Sequence, residues 1–232
     1  MKLFKKIICL VLVFISFSLS NCNRSKVSMQ PIDGYQKFSN KEEISMALKD
    51  KCVDTINFKK GDVVADIGAG IGNLEVMLSL FHDSITFYVQ DIDSSVCNQD
   101  SLNSIIQHYQ KINGKPFSNK FFVIIGSDEK TNLPDDTFDK ILMLWTYPYF
   151  KNPKAIMTDI KQKLKSYGFL YIINPNIGLE NSRNLIKKYG WNASPLEKQI
   201  SDIMDCGFDL IHISRNYDAP ENPYILIFKK KL

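Results

Sequence analysis

From about residue 40 to the end, the sequence predicts one α/β domain: a seven-stranded, mostly parallel sheet with helices on both faces. Three observations predict it. Short runs rich in β-branched and aromatic residues alternate with stretches whose apolar residues recur every three or four positions. The first such run, Val63-Val64-Ala65, passes through Asp66-Ile67 into Gly68, Gly70 and Gly72, the signature of a strand turning tightly into a helix. The last two runs, Phe208 to Ser214 and Tyr224 to Phe228, are joined by the turn 218–223, so they close the sheet as an antiparallel pair.

What precedes the domain is of another kind. Residues 1–21 carry lysines at 2, 5 and 6, an apolar run from Ile7 to about Leu19, and then small and polar residues ahead of Cys22, which is the layout of an export signal. The run is too short to be a comfortable membrane span. Its lysines lie only on the N-terminal side, so the rest of the chain is expected outside the cytoplasm. Residues 22–39 are polar, with Pro31 and Gly34, and read as a tether; the domain proper is 40–232.

Composition narrows the function classes. The formal net charge of +4, less the three signal lysines, leaves about +1 with no basic face, so nucleic acid is not an expected partner. The five cysteines (Cys9, Cys22, Cys52, Cys97 and Cys206) are irregularly spaced and form neither a disulfide framework nor a metal set. No metal is expected, and Cys52, Cys97 and Cys206 read as small buried apolar residues.

The elements follow in order. Asn40 with Glu43 three residues later makes a capping box, and Ile44, Ala47, Leu48 and Val53 continue at helical spacing. Beyond the glycines, Leu74, Val76, Met77 and Leu80 form the apolar stripe of a second helix. Ile85 to Gln90 is the second strand, ending in Asp91-Ile92-Asp93, with Asp93 expected to cap a helix from Ser94. That helix, marked by Leu102, Ile105, Ile106 and Tyr109, closes at Asn113-Gly114. Phe121 to Ile125 reads as a third buried strand running into Gly126-Ser127-Asp128, and Lys140 to Leu144 as the fourth, followed by an aromatic loop from Trp145 to Phe150. Ile156, Ile160 and Leu164 mark a helix expected to end at Gly168, before a fifth strand from Phe169 to Ile173. Pro195 to Cys206 is the last helix, stopped by Gly207.

In an open parallel sheet, ligands lie beyond the carboxyl ends of the strands. There Asp66 would oppose a pyrophosphate, and the place of the third dinucleotide-fingerprint glycine is taken by Asn73, so the turn is expected to receive a cationic guest on bare backbone. Asp91, about twenty residues past the glycines, is placed to accept both ribose hydroxyls of an adenosine.

Together these residues, D-I-G-A-G-I-G with an acid at the next strand tip, resemble motifs I and II of the class I S-adenosylmethionine-dependent methyltransferases. The resemblance spans about residues 40 to 229. It implies a Rossmann-like sheet with an antiparallel seventh strand beside the sixth, and S-adenosylmethionine as cofactor. The cofactor-binding residues it implies are Asp66, Gly68, Ala69, Gly70 and Gly72 at motif I, Asp91 and Ile92 at motif II, and Ser127 and Asp128 where the family places an acid against the adenine amino group. The family's segment before motif I closes over the cofactor, which puts Tyr35 and Phe38 forward as lid residues, with plain packing as the alternative. The loop from Trp145 lacks the Asn/Asp-Pro-Pro of methyltransferases that act on amides; Tyr147 and Tyr149 either hydrogen-bond an acceptor or pack on their neighbours. His82, His108 and His212 fall outside the crevice loops, so no catalytic base is assigned.

Leu19-Ser20-Asn21-Cys22 resembles the lipobox of bacterial lipoproteins, which implies a lipid anchor at Cys22 and a place in the bacterial cell envelope. The expected activity is methyl transfer to a small molecule, lipid or envelope component. The alternative is a lipid-anchored domain that binds a nucleoside-like ligand and transfers nothing. Oligomeric state is left open.

Overall fold

The computed structural model describes residues 38–174, 195–214 and 223–231. The export signal, Cys22, Tyr35 and the turn 218–222 lie outside the described residues. Seven strands form one sheet: β1 (Val63–Ile67), β2 (Thr86–Asp91), β3 (Lys120–Ile125), β4 (Phe138–Leu144), β5 (Leu164–Asn174), β6 (Phe208–Ser214) and β7 (Tyr224–Lys230), in the spatial order β3-β2-β1-β4-β5-β7-β6. The pairs among β1 to β5 are parallel, and β7 runs antiparallel to both β5 and β6, as expected from the closing strands. Strand order reverses beside β1, which pairs with β2 on one side and β4 on the other. In open sheets of this kind the ligand crevice lies at such a switch point, here beyond the carboxyl ends of β1, β2 and β4.

Among the described residues five helices accompany the sheet: α1 (Lys41–Asp50), α2 (Asn73–Leu78), α3 (Gln99–Asn113), α4 (Pro153–Lys163) and α5 (Leu196–Asp205). Ile156, Met157 and Ile160 of α4 and Ile203 of α5 join Ile141, Met143, Leu170, Ile172, Leu226 and Phe228 in one apolar core. Under the sheet, the buried pair Asp62 and Lys140 ties the entry of β1 to β4.

Each helix start and stop has a local cause. The Asn40 side chain accepts the Glu43 N–H at 2.9 Å, while Glu43 reaches back to the Ser39 N–H at 2.9 Å, one residue earlier than a standard capping box. Helix α1 ends at Asp50 because half-buried Cys52 turns left-handed at φ 57°; Val53, expected on the helix, is buried in a short 3-10 turn instead. Asp93 does not open α3. Its carboxylate accepts the Ser95 N–H and hydroxyl in a turn of its own, and Asn98 caps the helix through the Ser101 N–H. Gly114 closes α3 at φ 74° as expected.

Two other expectations are corrected. The strand β3 lies at the sheet edge rather than in the interior, leaving the Phe122 side chain 45% exposed. Helix α4 stops at Lys163, not Gly168. Leu164 already pairs with Phe138, and Gly168 sits inside β5, where a Cβ would come 2.7 Å from the Phe138 carbonyl oxygen. The glycine therefore marks close strand packing, not a helix end.

Candidate cofactor site

The turn after β1 is left-handed at Gly68, Gly70 and Gly72, with φ of 76°, 59° and 81°. Backbone N–H groups of Gly68 and Ala69 donate to the Gln90 carbonyl at 2.8 and 2.9 Å, which binds the turn to the tip of β2. A Cβ on Gly68 would lie 2.5 Å from the Thr146 Cγ2, and one on Gly72 would lie 2.8 Å from the Leu102 Cδ1 and 3.1 Å from the Val89 Cγ1. These two glycines are thus demanded by positive φ and by the protein's own side chains.

At the tip of β2, the Asp91 carboxylate is fixed by three backbone donors. Its Oδ2 accepts the Gly70 N–H at 3.0 Å, and its Oδ1 accepts the Ile92 and Asp93 N–H groups at 2.7 and 3.0 Å. A carboxylate has about four acceptor sites, so one on Oδ2 stays open. Ile92 beside it is 55% exposed, an apolar surface at the crevice mouth. Ser127 and Asp128 follow β3, whose Ile125 is in register with Asp91. There the Ser127 hydroxyl accepts the Lys130 N–H at 3.1 Å, and Asp128 forms an exposed ion pair with Lys151 at 2.6 Å.

Asp66, expected to favour a cationic guest, is a buried carboxyl. It is 4% exposed and lies against Glu75 of α2, which is fully buried and escaped the sequence reading. Burial foremost, and then the neighbouring Glu75 and Asp91, push the Asp66 pKa well above the usual carboxylate range; burial raises Glu75 too. Both carboxyls are buried, and no hydrogen-bond partner meets the Asp66 Oδ1 or either Glu75 carboxyl oxygen. A signal for Glu75 was present: a lone acid set among Leu74, Val76, Met77 and Leu78 has no solvent face to turn to. Burial foremost, then the negative neighbours Asp91 and Glu75, push the nearby Cys97 thiol up to about 12, so it stays a packing residue.

Across the crevice, Trp145 directly follows β4 at φ 59°, a conformation that bulky side chains avoid. Tyr147 is buried in the core and stacks edge-on against Phe150 at 6.0 Å, so packing rather than acceptor binding is its role. Tyr149 is exposed. His82 packs on Phe58, His108 donates to the Phe38 carbonyl at 2.9 Å and so fastens that segment to α3, and His212 lies on the edge strand β6. Among the described residues no cluster of metal ligands occurs.

Comparison with known proteins adds to this geometry. A family model described as "Methyltransferase domain" matches residues 65–172, from β1 into β5. An S-adenosylmethionine-dependent methyltransferase from Aquifex aeolicus superposes with a TM-score of 0.57 at 17% identity, over 82% of this chain and 98% of that one. A second, from Methanosarcina mazei, does so at 0.56 and 18%, over 78% and 97%. The Haemonchus contortus phosphoethanolamine N-methyltransferase 2, solved with S-adenosyl-L-methionine, matches at 0.58 and 13%, over 82% of this chain and 53% of its own. No curated protein sequence matches. The shared fold is the Rossmann-like methyltransferase sheet, and the cofactor that goes with the family match and this fold is S-adenosylmethionine.

Proposed function

We propose that the domain is an S-adenosylmethionine-dependent methyltransferase that modifies a small molecule, lipid or other component of the bacterial envelope. One observation carries the reading. The Asp91 carboxylate, immobilised by the N–H groups of Gly70, Ile92 and Asp93, keeps an acceptor site open beside a turn backed by two further acids. Such a place suits ribose hydroxyls and a cation and disfavours a diphosphate. The orphaned Asp66 Oδ1 fits a positively charged nucleoside on the same ground.

In this reading Asp91 holds the ribose, Ile92 offers an apolar wall to the base, and the Gly68 to Gly72 turn with Asp66 behind it receives the amino-acid end. When bound, the cofactor supplies a methyl group on a positively charged sulfur with a neutral thioether as leaving group. The protein's contribution to such an in-line displacement is chiefly alignment and exclusion of water, at the β4 tip carrying Trp145 and Tyr149. Only a hydroxyl or ammonium acceptor requires a proton to be removed. Placement in the envelope rests on the export signal and on acylation of Cys22. Cys22→Ser is expected to release the protein from membranes, and continued retention would refute the lipid anchor.

The reading is tested by thermal melting of the purified domain with S-adenosylmethionine, S-adenosylhomocysteine and NAD. A ligand at a hundred times its Kd adds about 2.7 kcal/mol, or roughly 5–11 °C for a domain of this size. Shifts with the two sulfur nucleosides and none with NAD are expected. A shift with NAD alone refutes the assignment.

A further inference from the structure

Lys51 follows the last turn of α1, and its Nζ sits 4.5 Å above the centre of the Trp145 ring. That ring is 42% exposed at the tip of β4, and the next residue, Thr146, packs on Gly68, so the β4 tip rests on the glycine turn. Asp66 lies one strand away, in register with Leu142 of β4, and its carboxyl, when ionised, is the one that most favours the Lys51 ammonium, with Asp50 next. Burial pulls the Lys51 pKa down, so the ammonium stays there against a desolvation cost. An aromatic face beside this turn, a group that a cationic ligand would seek, is thus engaged by a tethered cation.

Resting on the methyltransferase reading, we infer that Lys51 is a placeholder for the cofactor's positive sulfur and determines how the site discriminates charged cofactor from neutral product. A charged cofactor must move the ammonium off Trp145; a neutral thioether leaves it in place. Lys51 therefore weakens binding of the cofactor relative to its demethylated product.

The test is calorimetric binding of S-adenosylmethionine and S-adenosylhomocysteine to the mature chain and to its Lys51→Met, Lys51→Gln and Lys51→Arg variants. Loss of the cation is expected to tighten S-adenosylmethionine by about three- to thirtyfold, the span of one cation–π contact, and to change S-adenosylhomocysteine by less than about twofold. Lys51→Arg keeps the charge and the stacking and should behave as wild type. Lys51→Gln serves if the Met variant folds poorly. As an independent readout, acetylation of the Lys51 amine by acetic anhydride, followed by peptide mass spectrometry, should be faster with saturating S-adenosylmethionine than with S-adenosylhomocysteine. Equal effects on the two ligands, weaker binding in the uncharged variants, or equal labelling would overturn the role of Lys51 while leaving the methyltransferase reading intact. Failure of wild type to bind either ligand would remove both.

Discussion

Glu75→Gln probes the buried acid pair with almost no change in shape. In the folded wild type, the Asp66 pKa stands well above its ordinary 3.8, so between those two values the folded chain binds more protons than the unfolded one. Stability is then fullest below the unfolded pKa and declines as pH rises through the window toward the raised folded value. One proton of difference corresponds to a slope of up to about 1.4 kcal/mol per pH unit, or roughly 3–6 °C in Tm per pH unit for a domain of this size. Gln removes the charge that ranks second among the causes of the Asp66 shift, and its amide can donate to an ionised Asp66. Burial and Asp91 still act on Asp66, so the slope should shrink without vanishing, and the variant should outlast wild type at the alkaline end. Ligand binding carries the opposite sign. A cation favours the ionised pair, so affinity for S-adenosylmethionine should rise with pH through the same window in wild type and flatten in the variant. Melting curves from pH 5 to 9 at constant ionic strength check both. Parallel Tm profiles, or a Gln variant that loses ground to wild type as pH rises, would refute the part given to Glu75 in raising the Asp66 pKa.

Asp91→Asn sets an amide donor against the Gly70 N–H, which lies 3.0 Å from the Asp91 Oδ2 in wild type. The unliganded domain should lose about 1–3 kcal/mol, and the Tm shift with S-adenosylmethionine should disappear; an undiminished shift would mean that the ribose is held elsewhere. Gly68→Ala combines a φ of 76° with a Cβ 2.5 Å from the Thr146 Cγ2, so the unliganded melt should fall, and Thr146→Ala should restore part of the loss. If Gly68→Ala leaves the unliganded melt unchanged and abolishes only ligand binding, the glycine serves the ligand rather than the packing.

The seven strands and their antiparallel close could be read from the sequence because period-two and period-3.6 patterns report local structure directly. The errors fall where a residue's role depends on what lies across from it. Phe121 to Ile125 has the composition of an interior strand, yet among the described residues nothing pairs with the outer side of β3, and only the sheet order shows that. Gly168 looked like a helix stop, whereas its missing Cβ answers to the Phe138 carbonyl on the neighbouring strand. Asp93 has the identity of a cap and does cap, but it caps a turn through Ser95, while Asn98 opens the helix.

The same distinction governs the candidate site. Chain position was enough to pick out Asp66 and Asp91, because acids at strand tips next to a glycine turn are unusual and chemically pointed. Their state of charge could not be read there, since it depends on Glu75, which the folding of α2 turns inward. Two fully ionised carboxylates could not be buried together at tolerable cost, which is why burial raises the pKa of both acids. In the proposed reading a cationic guest would favour ionisation of these acids, so the preference for positive charge would belong to Asp66 and Glu75 together, and neutralising Glu75 should cost the motif much of its selectivity.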